Sequence, residues 1–91
     1  MADLRLAVLK IVAEAPGYEL GSGMLIAVLE QYGHHVSHDG LATQLAWLAE
    51  QGLITLSTAA SVYIATLTAS GLDVAMGRSL NPGVARPAPG E

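Results

Sequence analysis

Pro16-Gly17, Gly33, Gly52 and Gly77 each close a stretch of this chain whose apolar residues recur with a single period, so the fold must be assembled from the short elements between them. Asp3 to Glu14 holds neither Gly nor Pro, and at helical spacing Leu4, Val8, Ile11 and Val12 fall on one side with Leu6, Leu9 and Ala13 beside them. This predicts a first helix ended by Pro16-Gly17. Its apolar arc is wider than one side of a small core needs, which points to a homodimer that buries Leu6 and Leu9. Ser22 is the expected N-cap of a second helix, Gly23 to Tyr32, with Leu25, Val28, Leu29 and Tyr32 in helical register and Gly33 as its stop. Ser37 is the expected N-cap of a third, with Asp39 in its first turn and Leu41, Leu45 and Leu48 leading to Gly52.

Beyond Gly52 the period changes. Leu53 to Leu56 and Val62 to Leu67 are β-prone runs around Ser57-Thr58-Ala59-Ala60-Ser61, which reads as a hairpin with a loop of about five residues. Thr68 then caps a short helix, Ala69 to Met76, closed by Gly77. From Ser79 the prolines 82, 87 and 89 with Gly83 and Gly90 cannot sustain a helix or a central strand, and the few apolar residues predict a mobile segment. The expected organisation is a domain over residues 1–77 and an extended or disordered Pro/Gly-rich tail over 78–91. The domain is mainly α with a small β-hairpin: a winged helix-turn-helix of three helices, a two-stranded wing and a short C-terminal helix.

Leu45-Ala46-Trp47-Leu48-Ala49-Glu50-Gln51-Gly52-Leu53-Ile54 resembles the end of a recognition helix entering the wing in ArsR-type and PadR-type bacterial repressors. Leu67-Thr68-Ala69-Ser70-Gly71 resembles their junction between the last strand and the last helix, and the likeness covers residues 4–77. As a whole, including Asn81-Pro82-Gly83-Val84, the chain resembles the small winged-helix proteins of Mu-like bacteriophages and prophages. That resemblance implies a DNA-binding protein of the transcriptional-regulator type, acting as a homodimer through its third helix and wing. Winged helices also serve as protein-binding modules.

Composition pulls the other way. Eight acidic residues stand against Arg5, Lys10, Arg78 and Arg86, for a net charge of −4, whereas duplex DNA is held largely by Lys and Arg on phosphates. Ser37, His38, Thr43 and Gln44 on the third helix and Thr58 in the wing are the candidate DNA contacts, with Gln44 suited to adenine. Trp47 has two readings: an anchor for a protein partner, together with Leu6 and Leu9, or a side chain packed within its own domain. The second function class is therefore an adaptor for a phage or host protein that never touches nucleic acid. Hydrophobic residues make up 52% of the chain and charged ones 13%, so apolar surface must be covered somewhere, and association is one outlet.

Chemistry beyond binding has little footing. His34, His35, His38 and Asp39 are the one cluster of metal-ligand type, but adjacent ligands in a connector do not fix a tetrahedron, so no metal is expected. A connector that responds to pH is the other reading of those histidines. Gly21-Ser22-Gly23 is too short for a phosphate loop, and no nucleophile, base and acid stand at a workable spacing, so neither catalysis nor a cofactor is expected. With no cysteine there is no disulfide framework, and Asp3, Arg5, Lys10 and Glu14 interrupt the apolar opening as no leader or membrane span would allow. A cytoplasmic, non-membrane protein is expected.

Overall fold

The computed structural model describes residues 1–88. The chain runs α1 (Ala2–Glu14), a 3-10 turn (Pro16–Tyr18), β1 (Glu19–Gly21), α2 (Ser22–Gln31), α3 (His38–Glu50), β2 (Ile54–Ala59), β3 (Val62–Leu67) and α4 (Ala69–Ala75). The predicted breakers act as such: Gly17, Gly33, Gly52 and Gly77 all have positive φ, between 68° and 86°, a region that costs Gly little and other residues more. Two of the predicted caps are made as drawn. Ser37 Oγ accepts from the Gly40 N–H at 3.0 Å to open α3, and Thr68 Oγ1 accepts from the Gly71 N–H at 3.0 Å to open α4.

The sheet has three strands, not the two of a simple wing. Its order is β1-β3-β2, antiparallel throughout, so β3 is central, with Leu20 opposite Ala65 on one side and Leu56 opposite Ala65 on the other. The turn at Gly17 and Tyr18, both at positive φ, leaves Glu19–Gly21 extended beside β3. Three residues ending in glycine are too few to show an alternating pattern. The added strand also changes the role of Ser22. It is the first helical residue, not the N-cap, and its buried hydroxyl accepts from the Tyr63 N–H at 3.3 Å, tying α2 to β3. The hairpin is longer and its loop shorter than expected. Pairing runs out to Ala59 and Val62, leaving Ala60-Ser61 as a two-residue turn with φ of 51° and 69°.

One apolar core joins all these elements. Val8, Leu9 and Val12 of α1, Leu25 and Leu29 of α2, and Leu41, Leu45 and Leu48 of α3 meet Ile54 and Ala65 of the sheet and Val74 of α4. Leu9 is wholly enclosed by this core and is unavailable to a second molecule, whereas Leu6 is only half-buried.

The described part of the C-terminal segment, read from its prolines as extended or disordered, lies docked on the domain. Val84 is 6% exposed, its N–H bonds the Asn81 carbonyl at 3.0 Å, and the Ala85 N–H reaches back to the Ala2 carbonyl at 3.1 Å. Asn81 also caps the turn through its side chain, which accepts from the Gly83 N–H at 2.9 Å. Proline lacks a donor, but a segment of this kind can still dock where one apolar side chain finds a socket and its remaining donors find partners. Here Val84 joins the core cluster, Ala85 and Gly83 bond to Ala2 and Arg5 of α1, and Gly83 lies against Trp47 of α3. Pro89 to Glu91 fall outside the described residues.

Candidate functional site

In this element order the surface open to a partner is the outer side of α3 with the hairpin beside it. Leu41, Leu45 and Leu48 face inward as predicted, and the exposed stripe opposite them is Asp39, Thr43, Ala46 and Glu50. These recur at helical spacing. The stripe therefore carries a carboxylate at each end and no cation. His38 is exposed at the start of the helix, and Thr43 Oγ1 donates to the Asp39 carbonyl at 3.2 Å. A helix N-terminus is ordinarily a good seat for phosphate, but Ser37 and Asp39 already occupy that end of α3 with an oxygen and a negative charge.

Gln44 does not belong to this face. It is 8% exposed, and its Oε1 accepts from Arg5 Nε at 2.8 Å. The expectation that it reads a base is corrected: with α1 on one side and the C-terminal segment near by, the covered arc of α3 is wider than the leucine line alone suggests. Trp47 lies half-buried along the same edge, its ring under the Arg5 guanidinium, whose carbon stands 3.8 Å from the ring centroid. Arg5 Nη1 continues to the Gly83 carbonyl at 3.0 Å, and Gly83 lies so close to the indole that a Cβ there would strike Cζ2 and Cη2. Of the two readings of Trp47, the structure shows packing within its own chain. No local pattern announces this cluster, because Arg5, Gln44, Trp47 and Gly83 come from three distant segments.

The wing is polar and uncharged. Ser57, Thr58, Ala59, Ala60, Ser61 and Val62 are all exposed, and Thr58 pairs with Tyr63 in the ladder. The four cations lie elsewhere: Arg5 against Trp47, Lys10 on α1, Arg78 bonded to Asp73 Oδ1 at 3.1 Å, and Arg86 exposed in the C-terminal segment. His34 and His35 sit in the connector before α3, and among the described residues no three His, Cys, Asp or Glu side chains converge as metal ligands. Among those residues too, no helix is long and apolar enough to cross a membrane.

Fold and exposed face together define a winged-helix module, and two solved structures agree in fold. The complex structures of hsRosR-S1 and hsRosR-S4 superpose with a TM-score of 0.69 each, at 22% identity, over 82% of this chain and 66% and 64% of theirs. This likeness is one of fold, to winged-helix RosR chains, of which this protein spans about two thirds. No family model matches the sequence. The protein described as "Uncharacterized protein gp26" of Escherichia phage Mu is 41% identical over 87 residues, covering 96% of this chain and 90% of the relative. The chain belongs to that phage family. An "Uncharacterized protein" of Haemophilus influenzae (strain ATCC 51907 / DSM 11121 / KW20 / Rd) is 40% identical over 67 residues, covering 72% of this chain and 65% of the relative.

Proposed function

We propose that this winged helix of the phage family is a non-enzymatic, cytoplasmic protein-binding module, which engages a partner through the outer stripe of α3 and the wing. The observation that carries the reading is the chemistry of that stripe: Asp39, Thr43, Ala46 and Glu50, with the candidate base reader Gln44 turned inward onto Arg5. Duplex DNA presents about one negative charge per 1.7 Å, so two carboxylates on the contact helix oppose binding that no cation on α3 or the wing offsets. A protein surface carrying Lys or Arg complements the same stripe. A photo-crosslinking residue at Ala46, the middle of the stripe, tests this in cells expressing the protein. A discrete protein adduct that disappears in the Asp39→Lys/Glu50→Lys variant is expected; an adduct to DNA would overturn the reading.

The fold likeness to the RosR chains favours a second reading, a DNA-binding regulator. In that case Ser37, His38, Thr43 and Thr58 are the side chains placed to touch the duplex, as hydroxyl and imidazole contacts without a charged clamp. The same crosslink decides between the two.

A further inference from the structure

A hollow on the surface runs along α1, away from the α3 stripe just described. Its floor is Asp3, Leu6, Ala7, Lys10, Ile11 and Glu14, one face of the helix, with a wall from Tyr32, and its volume is about 370 Å³. A second hollow shares Ile11, Glu14 and Tyr32 and continues the trough past Val28 and Met24. The trough carries large exposed apolar groups, Tyr32 at 65% where the two hollows meet and Met24 at 58% in the second.

From this we infer that α1 packs antiparallel against α1 of a second copy of the chain, about a two-fold axis between Leu6 and Ala7. The occupant follows from the charges along this face of α1. In a two-fold antiparallel pair, residues equidistant from the axis face one another. That axis sets Leu6 on the partner's Ala7, where the small side chain permits close approach of the two helices. It also sets Asp3 against the partner's Lys10, twice over, on either side of this apolar centre. Glu14 then lies just past the partner's Ala2, at the positive end of that helix. An axis at the middle of the helix, between Val8 and Leu9, would instead oppose Asp3 to the partner's Glu14, acid on acid. The pattern of charge therefore complements itself in one register and not in the other. The inference is independent of what α3 binds.

Sedimentation velocity across the micromolar range, on the whole chain, reads the association. A concentration-dependent dimer is expected, which Leu6→Glu converts to monomer without loss of helical circular dichroism. Asp3→Lys and Lys10→Asp should each weaken dimerisation roughly tenfold, and the double variant should recover most of that loss, since exchanging both charges restores the pair. The native chain has no cysteine, so single cysteines report the register directly. Leu6→Cys should form a disulfide-linked dimer on oxidation. Ile11→Cys should not, because its two copies would stand nine residues, about 13 Å, apart along the helices. A monomer at all concentrations, a dimer indifferent to Leu6→Glu, failure of the charge exchange to rescue, or cross-linking through Ile11→Cys would each overturn the inference.

Discussion

A methyl group at position 71 would collide with the Leu53 carbonyl and the Leu67 side chain, which explains why glycine opens α4. Beside it Thr68 works in two directions. Its hydroxyl oxygen accepts from Gly71, while its proton is within reach of the Gly52 carbonyl at 2.8 Å and the Leu53 carbonyl at 2.9 Å. The junction thus fastens α4 to the start of β2, and the backbone, which cannot move out of the way as a flexible side chain can, sets the limit. Gly71→Ala is expected to cost about 2–3 kcal/mol in urea unfolding, while Ser70→Ala, on the exposed side, stays within about 0.5 kcal/mol. The hairpin turn shows the opposite imbalance. Ala60 and Ser61 hold the left-handed conformation that Asn and Gly adopt more readily. Ala60→Asn with Ser61→Gly should therefore stabilise the fold by about 1 kcal/mol, seen as a rise in Tm of roughly 4–8 °C in a scanning calorimeter.

The C-terminal segment behaves as a strap across α1 and α3. It is held by Val84 in its socket, by Gly83 on the indole and Arg5, and by the Asn81 amide donating to Gln51 Oε1 at 3.3 Å. Burying one valine is worth about 2 kcal/mol, and the guanidinium over the ring adds about 1 kcal/mol while the strap keeps it desolvated. Truncation after Ser79, or Val84→Asp, is therefore expected to lower Tm by several degrees and to shift Trp47 fluorescence to the red, with greater access to iodide. A truncated chain with unchanged emission would show that Trp47 owes nothing to the strap. The helices and most of their ends are legible in the sequence because a cap or a breaker acts within three or four residues: Ser37 with Gly40, Thr68 with Gly71, Gly33 after α2. Neither β1 nor the strap was. Each is held by partners far along the chain, Glu19 by Thr66 and Ala85 by Ala2, and has no period of its own. Gln44 went astray for the same reason, since its place depends on Arg5 and not on the spacing of Leu41, Leu45 and Leu48.

At the scale of the molecule the decisive feature is where charge is absent. α3 and the wing hold two exposed carboxylates and no Lys or Arg, and Arg5 and Arg78, on other elements, are engaged by Gln44 and Asp73. The slope of log affinity against log salt counts the phosphates a protein neutralises, at about 0.9 per phosphate for B-form DNA, so a surface without cations gives weak binding and a shallow slope. Non-specific binding by proteins built for DNA has a Kd of about 10⁻⁴ to 10⁻⁶ M at physiological salt. The wild-type chain should fall at or beyond the weak end of that range in fluorescence anisotropy with random duplex. If charge alone is the obstacle, replacing it should create the missing activity on an unchanged fold. Asp39→Lys/Glu50→Lys removes two repulsions and adds two attractions per chain, and neither side chain has a folding role beyond the first-turn position of Asp39. That variant is expected to bind random duplex at least tenfold more tightly, with a slope steeper by roughly two per chain. Nanomolar affinity of the wild type, with a steep slope of its own, would mean that cations outside α3 and the wing reach the duplex, and the regulator reading would displace the protein-binding one.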